Sequence, residues 1–504
     1  REEAGKPMTP LLDPLAWLIL LPLLWATLAF VAADRHGPML ALAGIGGQLL
    51  CVIVLASDVA NHGSSGHLAG GWAEPLGIRL VADGLSLVML LLTQGVALAL
   101  ALYARSYFQQ ATPPAFWPLT GFLLAGMNAL FLSGDLFNLY VTLELVGLAA
   151  VGLVAAGGGA AQIAAALRYL LATLVGSGAY LFGVALIYGS YGTVSASLLG
   201  SLITSEAPLA VWLAGGLMLA GLLLKTALLP FHFWLPPAHG GAPAPVSALL
   251  SALVVKASFY LFLRLWLGPF AALSEALPAL AQVPAALGAA AILWGSWQAI
   301  RADRLKMLVA YSTVAQLGYL FLIFPLLGTG ALALQAGILQ ATAHGLAKAA
   351  MFVAAGTLIK VGGSDRVLGV AGAAAHLPVT LFAFALAGVT LMGLPPSGGF
   401  LAKWLLIDAA LAAGQPWIVV VALSGGLLAG VYVFRVLRLA FRRPTTHDDI
   451  PLPQRPAALL EWTAFALAAG SVLIGLGAAP LLALIAGRSE EHTLNSSHGK
   501  LSRM

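Results

Sequence analysis

Apolar stretches of about 20 residues recur along the chain from Leu11 to Ile485, and short polar segments separate them. Each stretch is long enough to cross the hydrocarbon core of a bilayer as a helix. In lipid the backbone must satisfy its own hydrogen bonds, so stretches of this length are predicted to be helical. The pattern therefore predicts an all-α, polytopic membrane protein.

We predict about fourteen transmembrane spans from this pattern. They lie at residues 11–32, 38–57, 83–104, 116–133, 135–155, 163–188, 209–230, 245–267, 279–300, 305–326, 331–358, 377–411, 416–440 and 457–485. The longest linkers are residues 58–82 and 189–208, and neither is long enough to form a domain.

Two of the predicted spans contain helix breakers. Pro230 interrupts the seventh span, and Pro395 and Pro396 interrupt the twelfth. Proline removes a backbone donor and clashes with the preceding turn. Transporters tolerate such breaks where the freed carbonyls line a cavity. Grouping spans 4–8 and 9–13 places a broken helix fourth in each five-span group, which is the layout of two inverted repeats.

The predicted organisation has five parts. They are an N-terminal three-helix segment (1–115), a first repeat (116–268), a second, inverted repeat (279–441), a C-terminal helix (457–487) and a polar tail (488–504). The tail resembles translated sequencing-adaptor sequence, so we predict that it is not native.

Basic residues are concentrated in or beside the odd-numbered loops between spans. They are Arg35, Arg105, Arg168, Arg301, Arg304, Lys360, Arg366, Arg438, Arg442, Arg443 and Arg455. The even-numbered loops hold only Arg79, with Arg264 at the end of a span. Cytoplasmic loops carry the excess of lysine and arginine. The odd loops are therefore predicted to be cytoplasmic, which places both termini on the periplasmic side of a bacterial inner membrane.

The composition agrees with a membrane protein and excludes several other classes. The 504 residues are 60% hydrophobic and 9% charged, whereas soluble domains carry about 25% charged residues. The formal charge of +5 is spread thinly between spans, which does not indicate nucleic-acid binding. Cys51 is the only cysteine, and one thiol cannot hold an iron–sulfur cluster. No glycine-rich turn follows a strand. We therefore predict neither a metal nor a cofactor in this chain.

Five charged residues lie well inside predicted spans. They are Glu144, Lys225, Lys256, Lys348 and Lys403. A charge at the bilayer centre costs at least about 2.5–3.5 kcal/mol, so these residues require an explanation. His344 precedes Lys348 by four residues, which places both on one face of the eleventh helix.

A proton path is one interpretation of these charges. Burial destabilises the charged form of a lysine, so its proton is released more easily, and a nearby carboxylate restores the charged form. If Glu144 approaches Lys225, opening and closing that pair would drive proton release and uptake. The unperturbed pKa of histidine, about 6.5, suits His344 to a relay. Structural pairing between helices is the other interpretation, although one acid facing four lysines leaves excess positive charge.

The histidines beside the seventh span have two open interpretations. His232 and His239 flank a proline-rich segment that we predict to be a cytoplasmic loop. They either assist proton uptake from the cytoplasm or have a structural role.

Other polar residues near span ends are expected to be structural. Asp135 stands where a helix N-cap is expected. Asp303 and Lys306 are expected at a cytoplasmic helix start. Asp408 either pairs with Lys403 or lies near the outer surface.

Five segments together resemble the antiporter-like subunits shared by respiratory complex I, membrane-bound hydrogenases and the multi-subunit Mrp sodium/proton antiporters. They are "GFLLAGMNALFLSGDLFNLYVTLEL" (121–145), "LLLKTALLPFHFWLPPAHGGAPAPVSALLSALVVKASFY" (222–260), "RADRLKMLVAYSTVAQLGY" (301–319), "HGLAKAAMF" (344–352) and "GLPPSGGFLAKW" (393–404). The resemblance extends over nearly the whole chain to about residue 480. It implies that Glu144, Lys225, Lys256 and Lys403 occupy the family's glutamate and lysine positions.

The resemblance implies transport within a complex that also contains a homologous antiporter-like subunit and small membrane subunits. Residues 71–90 and 134–145 look most like the Mrp D subunit. The expected function is proton translocation in a multi-subunit monovalent cation (Na⁺)/H⁺ antiporter. The alternative is a proton-pumping subunit of a complex I-like NADH:quinone oxidoreductase or a membrane-bound hydrogenase. In that case the chain is part of an enzyme, with the redox chemistry on another subunit.

Overall fold

The chain folds into a bundle of apolar helices. The computed structural model describes residues 13–442 and 456–485, apart from residues 33, 73, 75, 109–111 and 114. Arg443, Arg455 and the predicted foreign tail at 488–504 lie outside the described residues. Within the described residues the chain forms twenty α-helices up to Leu476, a further helical stretch at 478–485 and one two-stranded hairpin. The predicted all-α architecture is therefore confirmed.

The helices fall into three groups along the chain. The first group is α1 (Pro14–Val31), α2 (Gly37–His62) and α3 (Gly84–Tyr107). The second group is α4 (Phe116–Leu132), α5 (Leu136–Ala155), α6 (Ala160–Tyr191), α7 (Ala196–Leu202), α8 (Leu209–Thr226), α9 (Leu235–Gly241), α10 (Ala244–Leu249), α11 (Val255–Leu267) and α12 (Ala271–Ala276). The third group is α13 (Ala279–Arg301), α14 (Leu305–Phe321), α15 (Ala331–Gly362), α16 (Ala373–His376), α17 (Pro378–Met392), α18 (Gly398–Ala412), α19 (Pro416–Ala440) and α20 (Ala458–Leu476).

Twelve helical segments of the described chain are long and apolar enough to cross a membrane. The fourth predicted span is α4, which is apolar but has only 17 residues. The twelfth is divided into α17 and α18, with 15 residues each. The protein is thus a multi-pass membrane protein, and the count of fourteen spans stays a prediction.

The two longest linkers pack together on the predicted outer side. Residues Ser65–Leu68 (β1) and Arg79–Ala82 (β2) form an antiparallel hairpin. Between these strands, Glu74 accepts hydrogen bonds from the hydroxyls of Ser195 (2.9 Å) and Ser197 (3.2 Å), which belong to the other linker. This contact ties the two linkers to each other without forming a separate domain.

The first broken helix ends earlier than the sequence suggests. Helix α8 stops at Thr226, and Ala227 takes a left-handed conformation with φ 58°. Trp234 stabilises the break because its indole N–H donates to the Leu224 carbonyl (2.9 Å), while its ring stacks on Tyr169 of α6 at 4.2 Å.

The segment that follows this break is helical, so its prediction as a loop was wrong. His232 lies in a 3₁₀-helix (Phe231–Trp234) and His239 in α9. The prolines that suggested a loop, Pro236 and Pro237, stand in the first turn of α9. Proline is tolerated there because the first N–H groups of a helix have no intrahelical partner.

The second broken helix lies where the sequence predicts it. Helix α17 ends before Gly393, which has φ 79°, a conformation that glycine adopts at little cost. Helix α18 starts after Ser397, whose hydroxyl accepts the Phe400 amide (3.1 Å) as an N-cap. The turn between the two helices holds both Pro395 and Pro396.

Helices α6 and α8 approach closely at Gly176 and Gly221. A Cβ on Gly221 would lie 2.3 Å from the Gly176 carbonyl oxygen. Overpacking of this kind costs about 1–3 kcal/mol. We therefore expect Gly221→Ala to lower the melting temperature of the detergent-solubilised protein.

Gly216 of α8 provides the matched control for this substitution. A Cβ there would meet nothing within 4 Å, and alanine favours a helix interior over glycine by about 1 kcal/mol. Gly216→Ala should therefore leave the melting temperature unchanged or raise it. An equal loss in both variants would contradict the close approach of α6 and α8.

Candidate functional site

Glu144 and Lys225 form an ion pair inside the first half of the bundle. The Lys225 Nζ lies 3.0 Å from Glu144 Oε1 and donates to Thr173 Oγ1 at 2.6 Å. Ser177, one turn further along α6, donates to the same Glu144 oxygen. The side chain of Lys225 is 4% exposed and that of Glu144 is 16% exposed. The expected approach of these two residues is present, with α6 supplying a hydroxyl to each.

Lys256 follows a π-helix (Leu250–Val254) between α10 and α11. A π-helix widens the turn, and here the Lys256 ammonium donates to the Ser251 carbonyl. The Ser251 hydroxyl is within hydrogen-bond distance of Thr313 Oγ1 on α14 (2.9 Å). Lys256 is completely buried. Its hydrogen-bond partner Ser251 is the residue that contacts α14.

Lys348 also contacts α14. Its ammonium donates to the Val309 carbonyl (3.0 Å) and to the Ser312 hydroxyl. Both acceptors are neutral, and Lys348 is 0% exposed. A buried ammonium without a carboxylate keeps most of its desolvation penalty, so the charged form of Lys348 is destabilised at this position.

Lys403 lies just after the second helix break. Its ammonium donates to the Leu391 carbonyl near the end of α17 (2.5 Å) and lies 4.4 Å from the ring centroid of Tyr319. The Gln316 amide donates to the same carbonyl (3.1 Å). The break thus supplies a free carbonyl to the lysine, in agreement with the expectation for a broken helix.

Helix α14 carries a polar stripe formed by Ser312, Thr313 and Gln316. These residues lie on one helix face and make hydrogen bonds to Lys348, to the Ser251 partner of Lys256, and to the Leu391 partner of Lys403, respectively. The sequence analysis missed this stripe, together with Thr173 and Ser177. Its only signal was the spacing within "YSTVAQLGY" at residues 311–319.

Two histidines stand beside these lysines with unpartnered ring nitrogens. Neither nitrogen of His239 or of His344 has a hydrogen-bond partner within the described structure, and both residues are buried. His344 lies one turn before Lys348 on α15, and the His239 ring stacks on Phe352, one turn after Lys348. Both histidines therefore lie near Lys348.

The weaker candidates divide between structural and unassigned roles. Asp135 is the expected N-cap of α5, since its carboxylate accepts the Asn138 amide at 2.6 Å. Burial raises the pKa of this carboxyl, and the backbone hydrogen bonds lower it in part. Asp408 is exposed, and the ion pairs of the described chain do not join it to Lys403. His232 is partly buried, and its Nδ1 has no partner among the described residues.

The distribution of partners favours a proton path over structural pairing. Of the four buried lysines, Lys225 alone forms an ion pair within the described residues. Lys256, Lys348 and Lys403 are held by carbonyl and hydroxyl oxygens. Salt bridges between helices would require carboxylates near them. Because the acceptors are neutral, each of these lysines can lose its proton without leaving an unpaired carboxylate in the interior.

Ser312 offers a direct probe of the polar stripe on α14. Ser312→Ala removes the hydroxyl that accepts from Lys348, while the Val309 carbonyl remains. We expect proton transport to slow several-fold, since a single hydrogen bond contributes about 0.5–1.5 kcal/mol. Proton flux in membrane vesicles measures the effect. Thr342→Val is the control, because among the described residues the Thr342 hydroxyl bonds the Ile338 carbonyl of its own helix and no lysine. Equal proton-transport rates in the two variants would contradict a role for the polar stripe in proton transport.

Known proteins resemble this chain over most of its length. A family described as NADH:quinone oxidoreductase/Mrp antiporter, TM, matches residues 133–429, which is more than half of the chain. NADH-quinone oxidoreductase subunit N of Desulforudis audaxviator is 36% identical over 441 residues, covering 84% of this chain and 87% of that protein. The D subunit of the Na⁺/H⁺ antiporter of Alkalihalophilus pseudofirmus is 29% identical over 470 residues, covering 92% of this chain and 94% of that protein.

Solved structures share the fold as well. A chain in the structure of the Mrp complex from Dietzia sp. DQ12-45-1b matches with a TM-score of 0.87 at 28% identity, covering 94% of this chain and 96% of that one. The resemblance seen in the sequence is thus confirmed, and the chain belongs to the NADH:quinone oxidoreductase/Mrp antiporter transmembrane family.

Proposed function

We propose that this chain is the proton-translocating membrane subunit of a multi-subunit monovalent cation/proton antiporter, with Na⁺ as the exchanged cation. The observation that carries the proposal is the row of buried lysines, three of which have only neutral hydrogen-bond partners. Ionisable groups inside a membrane are expensive and mark ion pathways. Similarity to the D subunit of an Na⁺/H⁺ antiporter supports the choice of complex.

The Glu144–Lys225 pair acts as an electrostatic gate in this proposal. While the pair is closed, the carboxylate stabilises the ammonium across 3.0 Å. Separation removes that stabilisation, so Lys225 releases its proton to the next group along the path. Closure favours uptake of a new proton. Hydrogen bonds from Lys225 to Thr173 and from Ser177 to Glu144 hold the two side chains in position.

The remaining relay members follow the polar stripe of α14. Lys256, His344, Lys348 and Lys403 exchange protons across the stripe, and the breaks at Pro230 and at Pro395 and Pro396 free the backbone groups that this requires. The hydrogen bonds of Lys225 go to Glu144 and Thr173 and do not lead towards Lys256. In this scheme buried water therefore carries the proton from Lys225 to Lys256. The histidines near the first break, His232 and His239, serve proton uptake.

A proton-pumping subunit of a complex I-like quinone reductase is the second candidate. It is favoured by the 36% identity to an NADH-quinone oxidoreductase subunit N. The same relay then serves a redox-driven pump, and the electrons stay on another subunit. The chain's own chemistry is identical in the two candidates, and they differ in the source of energy.

The setting of the protein follows from the same proposal. The chain lies in the bacterial inner membrane with both termini outside, beside a homologous antiporter-like subunit and small membrane subunits. In this proposal the chain consists of an N-terminal three-helix segment (1–115), two inverted repeats (116–268 and 279–441) and a C-terminal helix (457–487).

Ion flux from the purified parent complex tests the proposal. Reconstituted into liposomes, the complex should acidify or alkalinise the lumen when a Na⁺ gradient is imposed, with no redox substrate present. Proton movement that requires a quinone or a hydrogenase substrate would replace the antiporter by the redox-driven pump. Absence of proton movement under both conditions would contradict proton translocation altogether.

A further inference from the structure

A cleft of about 310 Å³ opens between the helix ends on the predicted cytoplasmic side. Its walls come from five odd-numbered loops and the helix ends beside them, and include Tyr107, Gly157, Ala242, Lys306 and Asp365. These are the loops that carry most of the basic residues. The cleft is wide enough to hold several water molecules, so it brings solvent into the bundle.

Lys306 lies at the wall of this cleft and points into the protein. Its ammonium donates to the Ala242 carbonyl, just after α9, and lies 3.4 Å from the Ser247 hydroxyl on α10. The side chain is partly buried. The sequence suggested only a helix start at this position, yet the lysine leaves that surface and reaches the segment that follows the first helix break.

His239 is the next titratable group beyond Lys306. The Ser247 hydroxyl donates to the His239 carbonyl at 2.8 Å, so the serine contacts both residues. Gly240, the chain neighbour of His239, lines the cleft, while the His239 side chain is fully buried. The His239 ring stacks on Phe352, one turn from Lys348 on α15. His239 therefore stands between the cleft and the buried lysines.

The other charges at the mouth of the cleft pair with each other. Arg304 Nε lies 3.4 Å from Asp365 Oδ2, and both side chains are more than half exposed. Lys306 forms no ion pair within the described part of the chain. Unlike Arg304, Lys306 donates to neutral acceptors within the described structure, the Ala242 carbonyl and the Ser247 hydroxyl.

We propose that Lys306 is the proton-loading group of the cytoplasmic half of the path, taking protons from water in the cleft and passing them to His239. The inference rests on the proposed function and adds an uptake site to it. In the transfer, the Lys306 ammonium gives a proton to a His239 ring nitrogen, directly or through water. The neutral amine then takes a proton from the cleft, so charge and protons balance.

A purely structural role for Lys306 makes a different prediction. An ammonium near the carbonyl end of a helix is stabilising, and Lys306 contacts the carbonyl that follows α9. Any permanent cation of similar reach satisfies that role. Proton loading needs a group that loses its proton, which arginine does not do in proteins.

Lys306→Arg and Lys306→Met in the assembled complex separate these roles. Proton uptake is followed with a pH-sensitive dye in everted membrane vesicles, where the cleft faces the medium. We expect both variants to lose at least about 90% of the uptake rate at wild-type amounts of complex. Wild-type rates in Lys306→Arg would overturn the proposal in favour of a structural charge.

Chemical rescue extends the test to the proton itself. Lys306→Cys in a Cys51→Ser background leaves one cysteine in this chain. Aminoethyl methanethiosulfonate adds a titratable amine, and its trimethylammonium analogue adds a fixed charge. We expect the amine alone to restore uptake in everted vesicles, and the trimethylammonium reagent to label without restoring it.

Either rescue by both reagents or failure of the amine to rescue a labelled protein would overturn the proposal. Lack of labelling from the cleft side would do the same. The Cys51→Ser complex, treated with each reagent, controls for cysteines on partner subunits. Proton uptake by the untreated wild-type complex distinguishes the two proposals. If the wild type takes up no protons, the proposed proton translocation is contradicted. If it does, a negative result in the variants counts against the role of Lys306 alone.

Discussion

Lys225→Ala is expected to abolish coupled proton transport while the parent complex still assembles. The substitution leaves Glu144, whose side chain is 16% exposed, with the Ser177 hydroxyl as a donor. The gate then has no group to take up or release a proton. Positioned proton donors contribute about 10²–10⁴-fold to rates, so flux in vesicles should fall to background.

Glu144→Ala should abolish transport in the same way, for the complementary reason. Lys225 keeps only Thr173 as a partner, and a buried lysine without its carboxylate favours the neutral form. The double variant separates gating from folding. If the two residues act as one unit, its loss of rate equals that of either single variant. Normal proton flux in either single variant would contradict the proposed Glu144–Lys225 gate.

Lys348→Met is expected to stop transport without lowering stability. Methionine has a similar length and fits an apolar interior. Within the described residues, Lys348 donates to neutral acceptors on Val309 and Ser312. Replacing a buried charge that lacks a carboxylate by an apolar side chain of similar length removes the desolvation penalty of that charge. The melting temperature should therefore stay the same or rise, while proton flux is lost.

This combination distinguishes a relay from a structural contact. A lysine that served to hold α15 against α14 would, when replaced, lower the melting temperature and reduce flux only in proportion to lost protein. Gly345→Val provides a packing control on the same helix, since a Cβ there meets Leu92 and the Ala252 carbonyl at 3.1–3.2 Å. That variant should lose stability first. A destabilised Lys348→Met with normal flux per complex would contradict the relay.

The sequence was sufficient for the apolar stretches, the positions of the two breaks and the buried charges, whereas the count of fourteen spans stays a prediction and the segment after the first break is helical rather than a loop. A lysine within an apolar stretch stands out because charge in lipid is costly, and proline marks a break because it lacks an N–H. Both signals are local. They located Glu144, Lys225 and Lys403 before any contact was known, and the structure brings the first two within 3.0 Å.

The connections between these charges could not be predicted. Serine, threonine and glutamine are common in membrane helices, and their partners depend on packing between distant segments. The π-helix before Lys256 has no sequence signature, yet it places the Ser251 groups between the lysine and Thr313. The inward course of Lys306 on α14 is likewise set by a distant segment, because its ammonium donates to the Ala242 carbonyl just after α9.

A cryo-electron microscopy map of the intact complex, at a resolution that shows ordered water, tests the central claim most directly. The account predicts water bridging the interior gap between Lys225 and Lys256 and a continuous line from there through Lys348 to Lys403. A dry, apolar seal at either place, with each lysine isolated from the next, would contradict a proton path through this subunit.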